Sequence, residues 1–160
     1  MRIGVVSDTH NLLPNVQRIV ELFNAAGLDR VVHTGDVTRA ATVHALGGLR
    51  VPLVGVYGNN DEREGISVAA AEHGFVFHEG TLALEWAGRR ILVTHDPRDL
   101  GPRWTEGFDV ALHGHDHRLA VDRVDGRLRF NPGECAGHLP GHNTVGVLDL
   151  VSLEVELLKF

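Results

Sequence analysis

The chain has 160 residues, of which 43% are hydrophobic and 22% charged, and its formal net charge is −6. This length fits one domain, and this composition excludes an intrinsically disordered chain. The acidic balance argues against a non-specific nucleic-acid binder, which needs a basic surface. The first apolar run is far too short for a signal peptide or a membrane span, and the single cysteine, Cys135, has no internal disulfide partner. We therefore expect one cytoplasmic domain over residues 1–160, without a membrane partner.

The first half of the chain alternates short apolar runs with helical patterns. The predicted strands are residues 3–6, 31–32 and 53–57, and the predicted helices are residues 16–26, 40–46 and 67–73. Pro14 and Gly27 bracket the first helix, as is typical of helix ends. A β-α-β-α order predicts a largely parallel sheet with helices packed on it.

The second half of the chain is rich in short strands. The predicted strands are residues 75–77, 82–84, 91–94, 110–112, 119–124, 128–130, 145–150 and 155–158. The Asp125-Gly126 pair between two of these runs is typical of a β-hairpin turn. We expect an α/β fold with two packed sheets, the second more antiparallel, and helices outside.

Polar side chains follow five of the predicted strands. The clusters are Asp8-Thr9-His10, Gly35-Asp36, Gly58-Asn59-Asn60-Asp61, Thr94-His95-Asp96 and His113-Gly114-His115-Asp116-His117. Open α/β sheets bind ligands beyond the carboxyl ends of their strands. Imidazole and carboxylate groups suit manganese, iron, nickel or zinc better than calcium. The chain also holds eleven histidines, which invites a metal hypothesis.

Each cluster alone has an ordinary structural explanation. Asp8 fits an Asx turn, Asp36 fits a helix cap, and the segment around Asn59 fits a common turn. A lone histidine such as His95 is most often a hydrogen-bonded residue at a strand end. His115 and His117 are two residues apart and face the same side of an extended segment. The recurrence of such clusters after successive strands is what favours a metal site.

The ordered set of motifs resembles the calcineurin-like metallophosphoesterases, and in particular their small, capless prokaryotic phosphodiesterase branch, which is related to the retromer scaffold subunit. The segment Asn131-Pro132-Gly133-Glu134-Cys135 also matches that branch. The resemblance extends from residue 3 nearly to the C-terminus. It implies two mixed β-sheets sandwiched between helices, in four αββα layers, with no cap domain.

The resemblance also implies two divalent metal ions per chain, with manganese expected and nickel, iron or zinc as alternatives. One ion is assigned to Asp8, His10 and His117, the other to Asn59, His95 and His115, with Asp36 bridging both. Two such ions can share a hydroxide that attacks a phosphoric ester. The other histidines that we considered for metal binding are expected to be dispensable, and these are His44, His73, His78, His138 and His142.

The sequence departs from the family pattern at two positions. Asn60 stands where many members carry His or Cys, and His95-Asp96-Pro97 replaces His-Gly-His. Both changes remove a candidate proton donor to the leaving group. Asp61 is in the family position and is expected to orient a ligand, to relay a proton or to cap the next turn.

The sequence therefore predicts a binuclear-metal phosphodiesterase. The predicted catalytic residues are Asp36, Asn59, Asp61 and His95, and the predicted substrate-binding residues are Asn60 and Arg98. We expect a small phosphodiester or nucleotide-like substrate and no nucleic-acid partner, and a homodimer would fit the resemblance. The alternative is a non-catalytic scaffold on the same fold. A nicotinamide-binding domain is disfavoured because no Gly-x-Gly-x-x-Gly follows the first strand.

Overall fold

The structure is a computed structural model that describes residues 1–102, 104–139 and 141–160. Within these ranges it contains three α-helices: α1 (Leu13–Ala25), α2 (Ala40–Leu46) and α3 (Arg63–His73). Two short 3-10 helices cover Pro97–Leu100 and Trp104–Glu106. None of the described helices combines the length and apolar character needed to cross a lipid bilayer.

The first sheet has six strands. They are β1 (Arg2–Val6), β2 (Arg30–His33), β3 (Leu53–Val56), β4 (Val76–His78), β10 (Thr144–Asp149) and β11 (Val155–Lys159). Their order across the sheet is β11-β10-β1-β2-β3-β4. The pairs from β1 to β4 are parallel, whereas β10 pairs antiparallel with both β1 and β11. The last two strands of the chain therefore complete the sheet begun by the first.

The second sheet has five strands in the order β5-β6-β7-β9-β8. They are β5 (Leu82–Trp86), β6 (Arg89–Val93), β7 (Val110–Leu112), β8 (Ala120–Val124) and β9 (Arg127–Asn131). β6, β7 and β9 are parallel neighbours, and the two outer pairs are antiparallel. Asp125 and Gly126 connect β8 to β9 and both have positive φ, as the predicted hairpin turn requires.

Apolar side chains divide the fold into layers. Val16, Ile19 and Phe23 of α1 are fully buried, because their helical spacing puts them on the face that packs against the first sheet. The other face of that sheet packs against the second sheet through residues such as Val5 and Phe130. The outer face of the second sheet is covered by the 3-10 helices, with Leu100 and Trp104 buried against it. The fold is thus the predicted pair of mixed sheets between helical layers, and the outermost layer consists of 3-10 turns.

Candidate metal centre

The loops after β1, β2, β3, β6 and β7 meet at one edge of the two sheets. These are the carboxyl ends of strands that run parallel within each sheet. The loops bring together the seven predicted metal ligands, which are Asp8, His10, Asp36, Asn59, His95, His115 and His117.

One group of ligands consists of Asp8, His10, Asp36 and His117. One ligand atom from each of these residues lies within 4.8 Å of the others. His10 Nε2 lies 3.2 Å from His117 Nε2, and His117 Nε2 lies 3.3 Å from Asp8 Oδ1. The group therefore converges on one point.

The second group consists of Asn59, His95 and His115. Asn59 Oδ1 lies 3.1 Å from His95 Nε2 and 3.0 Å from His115 Nδ1. Asp36 Oδ2 lies 3.4 Å from His95 Nε2 and equally 3.4 Å from His10 Nε2. Asp36 therefore stands between the two groups.

The donors present fit a divalent cation. Asp8 is fully buried, and its Oδ1 atom has no hydrogen-bond partner among the described residues. An unsatisfied buried carboxylate oxygen destabilises a fold by about 1–3 kcal/mol or more, and a cation would remove that penalty. A set of imidazole nitrogens with carboxylate and amide oxygens suits first-row divalent ions.

The backbone at the ligands lies in an uncommon conformation. Five of the seven ligands have positive φ: Asp8 (52°), His10 (43°), Asp36 (57°), His115 (76°) and His117 (57°). Residues other than glycine rarely adopt such values, and they concentrate at functional sites, where they store strain. The clustering of these angles on the ligands is independent support for a functional centre.

Comparison with known proteins gives the family. The model of the calcineurin-like phosphoesterase superfamily domain matches residues 1–152. The chain belongs to this superfamily. Phosphodiesterase MJ0936 of Methanocaldococcus jannaschii is 32% identical, over 93% of each chain. The solved structure of an archaeal phosphodiesterase has a TM-score of 0.92 and 31% identity, with both chains fully covered.

More distant structures share the fold. The Escherichia coli phosphoesterase Yfce has a TM-score of 0.73 and 23% identity, over 99% of this chain and 98% of its own. Vps29 of Entamoeba histolytica, solved with zinc, has a TM-score of 0.71 and 20% identity, over 100% and 98%. The four-layer phosphoesterase fold is therefore confirmed.

Three glycines allow the loops of the phosphoesterase centre to approach one another closely. A Cβ atom on Gly35 would lie 2.6 Å from His95 Nδ1, and one on Gly114 would lie 2.6 Å from Asp8 Oδ2. A Cβ on Gly58 would collide with the Asp36 carboxylate. Glycine therefore precedes or faces the ligands because the loops approach too closely for a side chain.

Hydrogen bonds orient the ligand imidazoles. His95 Nδ1 lies 2.9 Å from the Thr34 carbonyl oxygen, to which it donates, so Nε2 is the ring nitrogen that is free to coordinate an ion. His33 is fully buried between two ligand loops. Its Nδ1 accepts from the Gly35 N–H at 3.1 Å, and its Nε2 lies 3.2 Å from Thr9 Oγ1. His33 is a positioning residue for both loops.

Asn60 and Asp61 both act on the loops that carry ligands. Asn60 donates to Asp36 twice, from its backbone N–H at 3.0 Å and from Nδ2 at 2.8 Å. Asp61 accepts from the backbone N–H groups of Thr38 and Gly58, one on each oxygen. Asn60 therefore lies beside the Asp36 carboxylate, and Asp61 connects the loops after β2 and β3.

Charges at the centre shift several pKa values. The neighbouring Asp8 carboxylate raises the pKa of His10. Burial alone would lower the pKa of His95, but Asp36 outweighs it and raises that pKa. Burial would raise the pKa of Asp36, yet His95 and Asn60 hold it below its ordinary value. Burial lowers the pKa of His33 to about 4, so this residue is neutral at physiological pH.

His138 lies close to the centre. Its ring stacks on His117 with centroids 5.1 Å apart, and it forms a potential ligand group with His10 and His117. That His138 is dispensable for metal binding stays a prediction. Its position results from the long loop after β9, which folds back over the centre. Leu139 N–H donates to Glu134 Oε1 in this loop at 3.1 Å. No local pattern in the sequence indicates that the loop after β9 folds back over the centre.

Two cavities border the centre. The His117 cavity has a volume of about 480 Å³ and is lined by His117, Leu119, Glu134, Leu139 and His142, among others. The Asn59 cavity has a volume of about 470 Å³, and its lining includes Asn59, His95, His115, Arg63 and Arg98. Each cavity thus adjoins a different group of ligands.

Arg98, a predicted substrate-binding residue, lies in the Asn59 cavity. Its side chain is 82% exposed, and its Nε atom donates to Asp96 Oδ2 at 2.9 Å. This pairing lowers the pKa of Asp96 to about 2, so Asp96 is ionised at neutral pH. Arg103 is another arginine in this region of the sequence, and it lies outside the described residues.

Proposed function

We propose that the protein is a metal-dependent phosphodiesterase whose centre holds two divalent ions. The observation that carries this proposal is the position of Asp36, whose Oδ2 atom lies 3.4 Å from an imidazole nitrogen of each ligand group. A carboxylate so placed can bridge two ions. The name of the M. jannaschii relative supports a phosphodiester substrate in particular.

In this proposal Asp8, His10 and His117 hold one ion, and Asn59, His95 and His115 hold the other. We expect manganese, with nickel, iron or zinc as alternatives. When bound, two such ions supply Lewis acidity and lower the pKa of water enough to give a nucleophile near neutral pH.

The side chains around the ions keep the ligands in place. Asn60 holds the Asp36 carboxylate, and Asp61 fixes the loop that carries Asn59. Both oxygens of Asp61 already accept backbone hydrogen bonds, which favours a positioning role over proton relay. Arg98 lines the Asn59 cavity and is proposed to attract a phosphate, although its ion pair with Asp96 offsets part of its positive charge.

The substrate is proposed to be a small phosphodiester or a nucleotide-like compound. A single domain without a cap, cytoplasmic location, the absence of nucleic-acid and membrane partners, and assembly as a homodimer stay predictions from the sequence. The scaffold alternative remains distinct from the enzyme proposal, because a scaffold can bind metal without hydrolysing an ester.

A panel of phosphodiesters and phosphomonoesters, assayed with manganese, nickel, zinc and magnesium, tests the proposal. We expect hydrolysis of aryl phosphodiesters, and a loss of about 100-fold or more in His95→Asn, because a ligand and its orientation are lost. His78→Asn is the matched control, since His78 ends β4 and belongs to neither ligand group. A metal-loaded protein that hydrolyses no ester in the panel would favour the scaffold.

A further inference from the structure

Glu134 in the His117 cavity is a buried carboxylate with an open hydrogen-bonding position. Only 2% of Glu134 is exposed, and its Oε1 atom accepts from the Leu139 N–H. Its Oε2 atom is buried and has no partner among the described residues. Buried polar atoms in native proteins are nearly always hydrogen-bonded. A bound ligand with an N–H or O–H group could supply the donor that Oε2 lacks.

The same cavity offers an apolar surface. Leu119 and Leu139 line it from two different loops, and they are 41% and 57% exposed. Ligand pockets of roughly 300–1,000 Å³ usually combine apolar walls with a few convergent polar groups. The His117 cavity, at about 480 Å³, has both features.

The position of the cavity relates it to the reaction. His117 belongs to the cavity wall and to the first ligand group, whereas the Asn59 cavity adjoins the second group. A phosphodiester carries two organic arms on one phosphorus. A phosphate on the centre can therefore extend one arm into each cavity.

We propose that the His117 cavity binds a nucleoside arm of the phosphodiester substrate, with the base or sugar between Leu119 and Leu139 and an N–H or O–H group donating to Glu134 Oε2. The inference rests on the proposed function. Arg118 and Lys159 also line the cavity, and their positive charges disfavour a cationic amine as the donor. A neutral donor on a flat, partly apolar body matches these walls.

A matched pair of substrates isolates the arm. Thymidine 5′-(p-nitrophenyl phosphate) and methyl p-nitrophenyl phosphate release the same nitrophenolate. Any difference between their KM values is therefore due to the organic group that stays on the phosphorus, thymidine or methyl. We expect a lower KM for the thymidine ester. Glu134→Gln should raise that KM about tenfold with kcat and the methyl ester little changed, because an amide N–H would face the ligand donor. Glu64→Gln, an exposed site on α3, is the control. Equal effects on both substrates would overturn the inference.

Binding of thymidine alone gives a second readout that needs no turnover. Saturation-transfer NMR on the metal-loaded protein should detect thymidine, and Leu139→Ala should weaken its binding about fivefold without unfolding the protein, because Leu139 is largely exposed. Thymidine bound equally by wild type, Leu139→Ala and Glu134→Gln would refute the cavity assignment. Thymidine binding without hydrolysis of any diester would instead refute the enzyme proposal and keep the cavity assignment.

Discussion

At the scale of single residues, Asp36 connects the two ligand groups, since one of its oxygens lies 3.4 Å from both His10 and His95. We expect Asp36→Ala to reduce the metal content to below half of that of the wild type and to abolish activity, because both proposed ions would lose a ligand. Elemental analysis after gel filtration measures this.

The metal count needs two controls. Asp122→Ala removes an exposed carboxylate that pairs with Arg129 on the second sheet, and it should keep the full metal content. His44, Glu72 and His73 form an exposed group that could hold an additional ion, so the count is best made in a His73→Ala background. Full metal content in the Asp36 variant would contradict the bridging role.

Because His33 is buried, we expect the free energy of unfolding to depend on pH. Its pKa is about 4 in the folded protein and about 6.5 when exposed, so only the unfolded chain binds a proton between these values. The free energy of unfolding should therefore fall as the pH drops from about 6.5 to about 4, by about 3 kcal/mol from this residue.

Denaturant unfolding of chelator-treated protein over this pH range measures the effect. His33→Gln can keep hydrogen bonds to Gly35 and Thr9 but does not titrate, so its pH slope should be shallower than that of the wild type. His78→Gln serves as the control. An unchanged slope in His33→Gln would assign the acid sensitivity to other groups.

Because an amide, Asn60, stands where many family members carry a proton donor, we expect a strong preference for good leaving groups. An amide cannot donate a full proton to an alkoxide, and general acid catalysis typically contributes about 10²–10⁴-fold. Asp96 is ionised and so offers no proton. We expect aryl phosphodiesters to react far faster than alkyl ones, with kcat/KM falling steeply as the leaving-group pKa rises.

A series of diesters of rising leaving-group pKa tests this in wild type, Asn60→His and His138→Ala. A higher kcat/KM on alkyl esters in Asn60→His would support the interpretation that the wild type lacks a general acid at this position. A flat dependence in the wild type that becomes steep in His138→Ala would show that His138 supplies the proton, in contradiction to our expectation.

At the scale of elements, the loop between β7 and β8 depends on the absence of a side chain at Gly114. A Cβ there would collide with Ser7 and lie 2.6 Å from Asp8 Oδ2. We expect Gly114→Ala to displace the His115 loop, to lower the affinity for metal about 10-fold or more, and to reduce the free energy of unfolding by about 1–3 kcal/mol.

Gly65→Ala is the matched control for this substitution. Its Cβ would meet nothing closer than 3.7 Å, and Gly65 lies within α3. Alanine in a helix stabilises it by about 0.5–1 kcal/mol over glycine, so this variant should unfold at higher denaturant concentration with its metal content unchanged. If Gly114→Ala were equally harmless, the close approach would not matter for the centre.

Local patterns predicted most elements of the fold, because apolar periodicity reflects burial directly. Helix α2 has the predicted bounds, and α1 begins three residues before its prediction. Helix α3 begins at Arg63 instead of residue 67, since its first turn is charged and carries no apolar repeat. The return of β10 to a place beside β1 was not predicted, because the choice of partner between distant strands leaves no local signal.

At the scale of the whole molecule, the centre could be predicted because its ligands all follow strands, and strand ends meet at one edge. The stacking of His138 on His117 and the unpaired Oε2 atom of Glu134 were not predicted. Both residues lie in the irregular loop after β9, where neither periodicity nor motif indicates what a side chain contacts.

The centre as a whole should lose metal in acid. Four imidazoles must be neutral to coordinate, and the carboxylates beside His10 and His95 raise their pKa values in the metal-free protein. We expect metal binding to release protons and activity to fall from neutral pH to about pH 5. Calorimetry in two buffers of different ionisation enthalpy counts the protons. A rate that stays flat down to pH 5 would contradict this mechanism.

The place of β10 beside β1 has a consequence for the growing chain on the ribosome. β1 is synthesised first, yet its partner on one side, Thr144–Asp149, emerges some 140 residues later. At about 5–20 residues per second, that edge stays unpaired for roughly 7–30 s. An open strand edge invites pairing with other chains. The nascent chain therefore carries an open strand edge until β10 has been synthesised, and truncation ahead of residue 144 leaves this edge of β1 permanently open.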